Sequence, residues 1–589
     1  MNLRISHRVP GCILTIALCA SAGAGAPPAP AEKSDVLLAT MQQEVQRAQS
    51  SLGKLDPPAY FLSYSVFDLN TSTVVGSQGS VINSTHTHRR TADVTMRIGS
   101  PALDNAHEEN RESAITTGFL PLTDDRDALA RELWRLSYEE YRKGSKAYLK
   151  VKTGSRVQVQ EEDTSPDFSQ EKPQAHADYT DPAPPPDQKI LEKMARQYSS
   201  YLRKYPYILF SAAVINAQTS RQHFVSSEGT QVVVPSASIR IAIEAGTRAT
   251  DGMELMRVET FQAENLQHLP AESEIAGRVE KMATDLSALR NAPVAEPYDG
   301  PALLSGRAAA VFFHEVLGHR LEGRRLRGEH EGQTFTKKIN QPVLPEFLSV
   351  VDDPTLRMLN GLDLGGWYEY DQEGQPAERV ALIQNGVLRN FLMSRMPVRN
   401  FANSNGHGRG QPGRVPIGRQ SNLIVTSTKT VKDSDLRKQL IHEIKKLNKP
   451  YGLYFEDIQG GFTLTQRSLP QAFQVLPVLV WRVYPDGRPD ELVRGVDIVG
   501  TPLAALTRIL MTGEKTDIFN GICGAESGWI PVSAAAPAML FSEIEVQKRG
   551  HSLTPPPALP KPTQSPNVPP SDTFSPPDKD KEKDTEQPQ

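Results

Sequence analysis

Arg307-Ala308-Ala309-Ala310-Val311-Phe312-Phe313 runs directly into His314-Glu315-Val316-Leu317-Gly318-His319. The first seven residues are almost entirely non-polar and read as a buried helix, which Ser305 is placed to cap. Two imidazoles and a carboxylate in such a place are costly unless something binds them. Zinc fits that chemistry: imidazole nitrogens ligate it, and the intervening Glu acts as general base on the water that the metal activates. The two histidines lie five residues apart, one more than the common H-E-x-x-H spacing. On a straight helix that turns the second ring about 140° from the first. The spacing therefore either argues against a metal site or predicts a helix with a π-type bulge or an unwound end, Gly318 supplying the freedom. The other reading is a core histidine followed by a helix-end histidine.

Cysteine usage bears on the choice. The chain has three cysteines, Cys12, Cys19 and Cys523. The first two fall in a segment of signal-peptide form: Arg4, His7 and Arg8, then the apolar run Gly11–Ala20, then small-residue cleavage sites at Ala20-Ser21-Ala22 and Ala22-Gly23-Ala24. The run is too short to span a bilayer, and Leu18 before Cys19 is a poor lipoprotein context. The expectation is an exported protein, periplasmic or extracellular, whose one mature cysteine is Cys523. Such a thiol is either a small buried hydrophobe or a metal-bound thiolate. Gly521 and Gly524 beside it would let the backbone approach a metal closely.

The sequence His314-Glu315-Val316-Leu317-Gly318-His319-Arg320-Leu321-Glu322-Gly323, the later segment Cys523-Gly524-Ala525-Glu526-Ser527-Gly528-Trp529-Ile530-Pro531-Val532 and the terminal strand Met539–Val546 together resemble the TldD/PmbA family of zinc metallopeptidases. Within it they are similar to the TldD-like members, which carry the metal motif. The resemblance covers most of residues 35–548. It implies that His314, His319 and Cys523 ligate Zn2+ and that Glu315 is the general base. Three protein ligands leave a fourth tetrahedral position open, as in catalytic zinc sites, and a thiolate favours zinc over magnesium or calcium. The resemblance further implies hydrolysis of unfolded peptides or short protein segments inside a dimer, either a homodimer or a heterodimer with a metal-free relative. A peptide would add to a strand edge.

The net charge of −4 and a pI near 6.4 give no electrostatic case for nucleic acid, and no second apolar run is long enough for a membrane span. The fold class is α+β: an N-terminal α/β domain with antiparallel strands and long helices, and a C-terminal β-rich barrel or sandwich carrying the metal site. The expected divisions are a signal peptide at 1–26, an N-terminal domain at 27–291 with a mobile insertion at 153–187, a metallopeptidase domain at 292–550, and a disordered Pro-rich tail at 551–589. Helices are predicted over Asp35–Leu52, Asp124–Arg142, Gln188–Lys204, the stripe Ile275/Val279/Met282/Leu286/Leu289, and from Ser434 as cap to Lys446. Strands are predicted within Tyr60–Gly99, at Tyr207–Asn216, His223–Val234, Ile239–Ala245 and Met253–Gln262. The order helix, strand, hairpin recurs around 35–99 and 188–246, as an internal duplication would give. Asn385-Gly386 is the strongest hairpin signal. His86 and His88 would share a strand face, either as metal ligands or as a solvated pair.

The Gly-rich stretch Asn403–Gly410 supplies His407 and Arg409 as candidate substrate-binding residues that would stabilise a developing oxyanion; the other reading is an ordinary loop. Arg414 and Arg419 carry vaguer signals. Two non-hydrolytic alternatives stand beside the peptidase: a non-catalytic zinc-binding partner subunit, and an exported peptide-binding protein. Glu315 favours hydrolysis, since a structural zinc site has no need of a general base.

Overall fold

The computed structural model describes residues 35–154, 163–182, 184–327, 334–465 and 472–550, with 108–110 described in backbone alone. The expected signal peptide and Pro-rich tail lie outside these residues. Helix α1 (Val36–Leu52) starts on Asp35, whose side chain accepts from Leu38 N, and buries Leu37, Met41, Val45 and Ala48. It precedes the hairpin Ala59–Ser77/Ser80–Ser100, the strand Ile115–Leu120 and helix α2 (Arg126–Gly154). The same order then repeats: helix α3 (Gln188–Ser200), the hairpin Phe210–Ser226/Gln231–Arg248, the strand Glu254–Ala263 and helix α4 (Glu272–Asn291). The halves join where Ala59–Ser77 pairs antiparallel with Phe210–Ser226, from Ser63↔Ser226 to Gly76↔Ala213. Together they form an eight-stranded sheet, antiparallel but for the short strand Ala175–Ala177. Ile275, Val279, Met282, Leu286 and Leu289 of α4 are all buried, as their spacing predicts.

Three of the predicted boundaries that move have a visible cause. Helix α2 continues twelve residues past Arg142 because Gly144 does not break it: a Cβ there would lie 2.8 Å from Ile98 Cδ1, so the glycine admits a close packing contact. The predicted strand His223–Val234 is interrupted by a tight turn, in which Gly229 takes a left-handed φ of 101° and Ser226 N donates to Thr230 O. Helix α6 (Asp433–Lys446) starts from Lys432, so Ser434 lies within the first turn rather than capping it.

Within the expected mobile insertion, residues 163–169 pack between the N-terminal sheet and the C-terminal half, and Ala175–Ala177 pairs with Gln231–Val233. Phe168 is buried with the Arg97 and Arg395 guanidiniums 4.5 and 4.1 Å from its ring centre. Asp167 N donates to Pro101 O, and Ser169 N to Arg395 O. One aromatic residue in a polar run supplies an anchor that composition conceals.

The C-terminal half centres on a closed barrel of five strands: Tyr298–Leu304, Gly452–Thr463, Phe473–Val483, Val496–Gly500 and Gly528–Lys548, the last pairing back onto the first through Met539↔Leu304. Asn422–Ser427, Leu348–Asp352 and the Asn385-Gly386 hairpin extend the sheet from Gly528–Lys548. Asn385 and Gly386 have φ of 47° and 77°, as a type I′ turn requires. Helix α5 (Gly306–Val316) is buried at every position but Arg307. Its Phe312 meets Phe473 and Phe541 edge to face, with ring centres 5.6 and 5.4 Å apart. That fixes the motif-bearing helix to two barrel strands. Among the described residues no helix is long and apolar enough to cross a membrane.

Candidate metal centre

Ser305 Oγ accepts from Ala308 N at 3.1 Å and starts α5. The helix ends at Val316, Leu317 is its C-cap, and Gly318–Leu321 forms a 3-10 turn. The five-residue spacing is thus met by a helix that stops between the two histidines, bringing their ring centres to 4.9 Å. Gly318 has no left-handed φ. It serves the turn by size instead, since a Cβ would lie 1.8 Å from Gln420 Oε1.

The third residue arrives from 204 positions away. Cys523 faces inward, beside Ile530 and Val532, on the hairpin formed by Ile509–Ala525 and Gly528–Lys548. Its Sγ lies 3.3 Å from His319 Nε2. Donor atoms of His314, His319 and Cys523 all lie within 4.8 Å of one another, and all three residues are buried. His314 Nδ1 is buried with no hydrogen-bond partner among the described residues. A tetrahedral zinc, with bonds of about 2.3 Å to sulfur and about 2.0–2.1 Å to imidazole nitrogen, holds its donors about 3.3–3.6 Å apart, and the 3.3 Å between Cys523 Sγ and His319 Nε2 matches that spacing. The cluster and its N, N, S composition fit such an ion. Among the described residues His86 and His88 join no such group: His86 Nδ1 pairs with Ser72 Oγ, and His88 Nε2 with Asp68.

Glu322, three residues after His319, has a part that the motif alone does not show. Its carboxylate has no solvent exposure and meets His319 Nδ1 at 3.0 Å, leaving Nε2 for the sulfur side. Arg325 lies 3.3 Å from one Glu322 oxygen and Arg419 3.4 Å from the other. Burial alone would push the Cys523 thiol up, but the imidazoles of His319 and His314 outweigh it and hold the thiol well below its usual range. Burial alone would lower His319, while the Cys523 sulfur and the Glu322 carboxylate raise it well above the usual imidazole range. The cluster is built to hold an anionic sulfur.

Glu315 Oε2 lies 4.0 Å from His319 Nε2, beside the donors rather than among them. Gly461 makes room for it, since a Cβ there would lie 2.9 Å from Glu315 Cγ. These residues line a cavity of about 440 Å³ with Val311, Gly460, Phe519 and Ile522. Glu526 closes one side, held by Arg325 at 2.6 Å and Arg324 at 3.2 Å.

His407 and Arg409 are not in this cavity. Gly408–Arg409 pairs antiparallel with Ile417–Gly418 in a buried ribbon. His407 is fully buried with Nε2 3.2 Å from Asp352 Oδ1. Arg409 donates to Gln420 O and Pro531 O, at 2.6 and 2.9 Å. Both hold loops together, and neither of these expected substrate-binding residues lines the cavity. Arg414 lies apart as well, against the N-terminal sheet.

Residues 297–548 match the family described as PmbA/TldA metallopeptidase C-terminal domain. The match spans 252 of the 589 residues and marks what the C-terminal half is similar to. A metalloprotease of Archaeoglobus fulgidus is 28% identical over 239 residues, which are 40% of this chain and 51% of that one. A metalloprotease TldD homologue of Haemophilus influenzae is 27% identical over 250 residues, 42% of this chain and 48% of its own length. The alignments thus span about half the length of these relatives. A zinc metalloprotease TldD homologue of Saccharolobus solfataricus is 22% identical over 364 residues, 60% of this chain and 74% of that relative. Among solved structures, TldE from Thermococcus kodakarensis superimposes with a TM-score of 0.55 at 13% identity, over 86% of this chain and 100% of that one. A Thermotoga maritima protein described as a candidate modulator of a DNA gyrase gives 0.57 at 14%, over 86% and 99%. The likeness to these structures extends the shared fold across both halves of the molecule.

Proposed function

We propose that the protein is an exported, TldD-like zinc endopeptidase that hydrolyses unfolded peptides or short protein segments. The observation that carries this reading is the Glu315 carboxylate, 4.0 Å from His319 Nε2 and beside a three-donor group without being one of its donors. His314, His319 and Cys523 would hold the ion. Zinc bound there would supply a Lewis acid that polarises the scissile carbonyl and makes water more acidic. Glu315 takes a proton from the attacking water and returns it to the leaving amine. Glu322 keeps the proton of His319 on Nδ1. Gly460 and Gly461 leave the cavity wall open beside Glu315, where an extended main chain can lie. The signal-peptide form of residues 1–26 supports the exported part of this reading. The partner is a second copy or a metal-free relative, a reading favoured by the fold shared with TldE.

The test is Glu315→Gln in the purified mature chain, assayed on an unfolded, quenched-fluorescence casein. The expected result is unchanged zinc content with cleavage lowered by about 10²–10⁴-fold, the usual worth of a positioned general base. Cleavage equal to wild type at equal zinc content would exclude Glu315 as the base. Intact peptide retained at full zinc occupancy by the wild type would point to a binding protein.

A further inference from the structure

We infer that Arg419 and Gln420, adjacent in the chain, are positioning residues that together fix all three candidate ligands; the inference rests on the metal-site reading above. Arg419 has no solvent exposure. Its Nη2 lies 3.2 Å from Cys523 Sγ and 3.0 Å from Cys523 O. Its Nη1 donates to Ser527 Oγ at 2.9 Å and to Gly528 O at 3.2 Å. One guanidinium therefore grips the hairpin at the cysteine and again at the turn. Its Nε lies 3.4 Å from Glu322 Oε1, the same oxygen that meets His319 Nδ1. Arg419 thus acts on Cys523 directly and on His319 through Glu322.

Gln420 takes the remaining ligand. Its Nε2 donates to His314 O at 3.3 Å, at the end of α5. Its side-chain amide occupies the space that a Cβ on Gly318 would need, so it rests on the joint between helix and 3-10 turn. The end of α5 with the turn that follows it, and the Cys523 hairpin about two hundred residues on, meet at these two residues.

The pair is itself rigidly held. Arg419 N donates to His407 O at 3.0 Å, and Arg409 Nη1 to Gln420 O at 2.6 Å. Ser421 N, next in the chain, donates to both oxygens of Asp352 at 3.0 and 3.1 Å. This gives the buried His407 and Arg409 their place: they brace residues 419–420 from behind. A guanidinium suits the position because the donors of its fixed planar fork reach the sulfur, two carbonyls and the Ser527 hydroxyl together, while its charge faces the Glu322 carboxylate. A lysine keeps the charge but reaches only some of these. A hydrogen bond donated to a ligating sulfur fixes its direction and moderates its electron donation, which is how such outer contacts tune metal sites.

The test compares wild type, Arg419→Lys, Arg419→Met and Gln420→Ala in the full mature chain. Zinc affinity is read by competition with a chromophoric chelator, and ligand geometry by the absorption of the Co2+-loaded protein. Both Arg419 variants are expected to bind zinc about 10–100-fold more weakly, with the sulfur-to-cobalt band shifted or weakened. Gln420→Ala is expected to weaken zinc several-fold and change the visible cobalt bands, with the melting temperature of the chelator-treated protein nearly unmoved. If Arg419→Met does not fold, Arg419→Lys and Gln420→Ala decide. Wild-type zinc affinity and cobalt spectra in both would overturn the inference. A wild type that binds neither metal would instead overturn the metal-site reading, and the inference with it.

Discussion

His319 Nδ1 lies 3.0 Å from Glu322 Oε1, and that carboxylate has no contact with solvent. A buried carboxylate behind an imidazole fixes which ring nitrogen carries the proton, and so which one is left to bind. Glu322→Ala removes the one acceptor placed between His319 and Arg419. The expected cost is about 3–5 kcal/mol of stability, the usual penalty for breaking a buried ion pair, with zinc bound about 10–100-fold more weakly. Glu322→Gln, which keeps an acceptor oxygen, falls between this variant and wild type. Urea unfolding and zinc competition on the three proteins check the order.

Gly461→Ala separates metal binding from proton transfer. The new Cβ would press on Glu315 Cγ at 2.9 Å and on Gln474 O at the same distance. Glu315 must shift while His314, His319 and Cys523 stay. The expectation is full zinc content with kcat reduced about 100-fold, as misplacement of a catalytic group by about 1 Å can cause. Measuring zinc and steady-state kinetics on one preparation checks it; loss of zinc with activity would contradict it.

Glu526 gives a pH signature. Burial alone would raise its carboxyl, but Arg325 and Arg324 pull it down to about 2. A carboxylate whose pKa is depressed on folding contributes stability above its unfolded value and loses it as pH falls through the folded one. The side chain is about a third exposed, so solvent screening leaves a contribution of about 1 kcal/mol. Glu526→Gln should therefore be less stable than wild type by about that amount at pH 7, with the gap closing as pH falls from about 4.5 toward 2. Chemical denaturation across that range measures it. A gap that widens in acid would contradict the assignment.

His407 offers a contrast. Because it is buried against Asp352 and away from the cavity, His407→Ala should destabilise by about 1–3 kcal/mol, the cost of a lost buried hydrogen bond. KM for peptide should not change in the protein that remains folded. A rise in KM without loss of stability would return His407 to the substrate site.

What was legible in the sequence follows from how local each signal is. His314, Glu315 and His319 are contiguous, and Ser305 caps their helix as expected. Cys523 stood out as the one cysteine beyond the N-terminal segment, and the structure brings it to the histidines. The α+β class, the hairpin at Asn385-Gly386 and the apolar stripe of α4 rest on short-range periodicity and were readable for the same reason. Arg419 and Gln420 were not. Their partners lie about a hundred residues away in both directions, and a single arginine among many carries no pattern. The Gly-rich stretch at His407 misled because glycine marks close approach as readily as it marks a flexible loop. Gly408 and Gly418 instead pair across a buried ribbon. Gly318 marks the joint, but a glycine in the sequence does not distinguish conformational freedom from the space it leaves for Gln420.

The most direct test of the account is elemental analysis of the mature protein, purified without chelator, beside Cys523→Ser and Glu315→Gln. The account predicts about one zinc per chain in wild type and in Glu315→Gln, and its loss from Cys523→Ser, as three protein ligands require. Wild type without zinc would contradict it, as would equal zinc in wild type and Cys523→Ser.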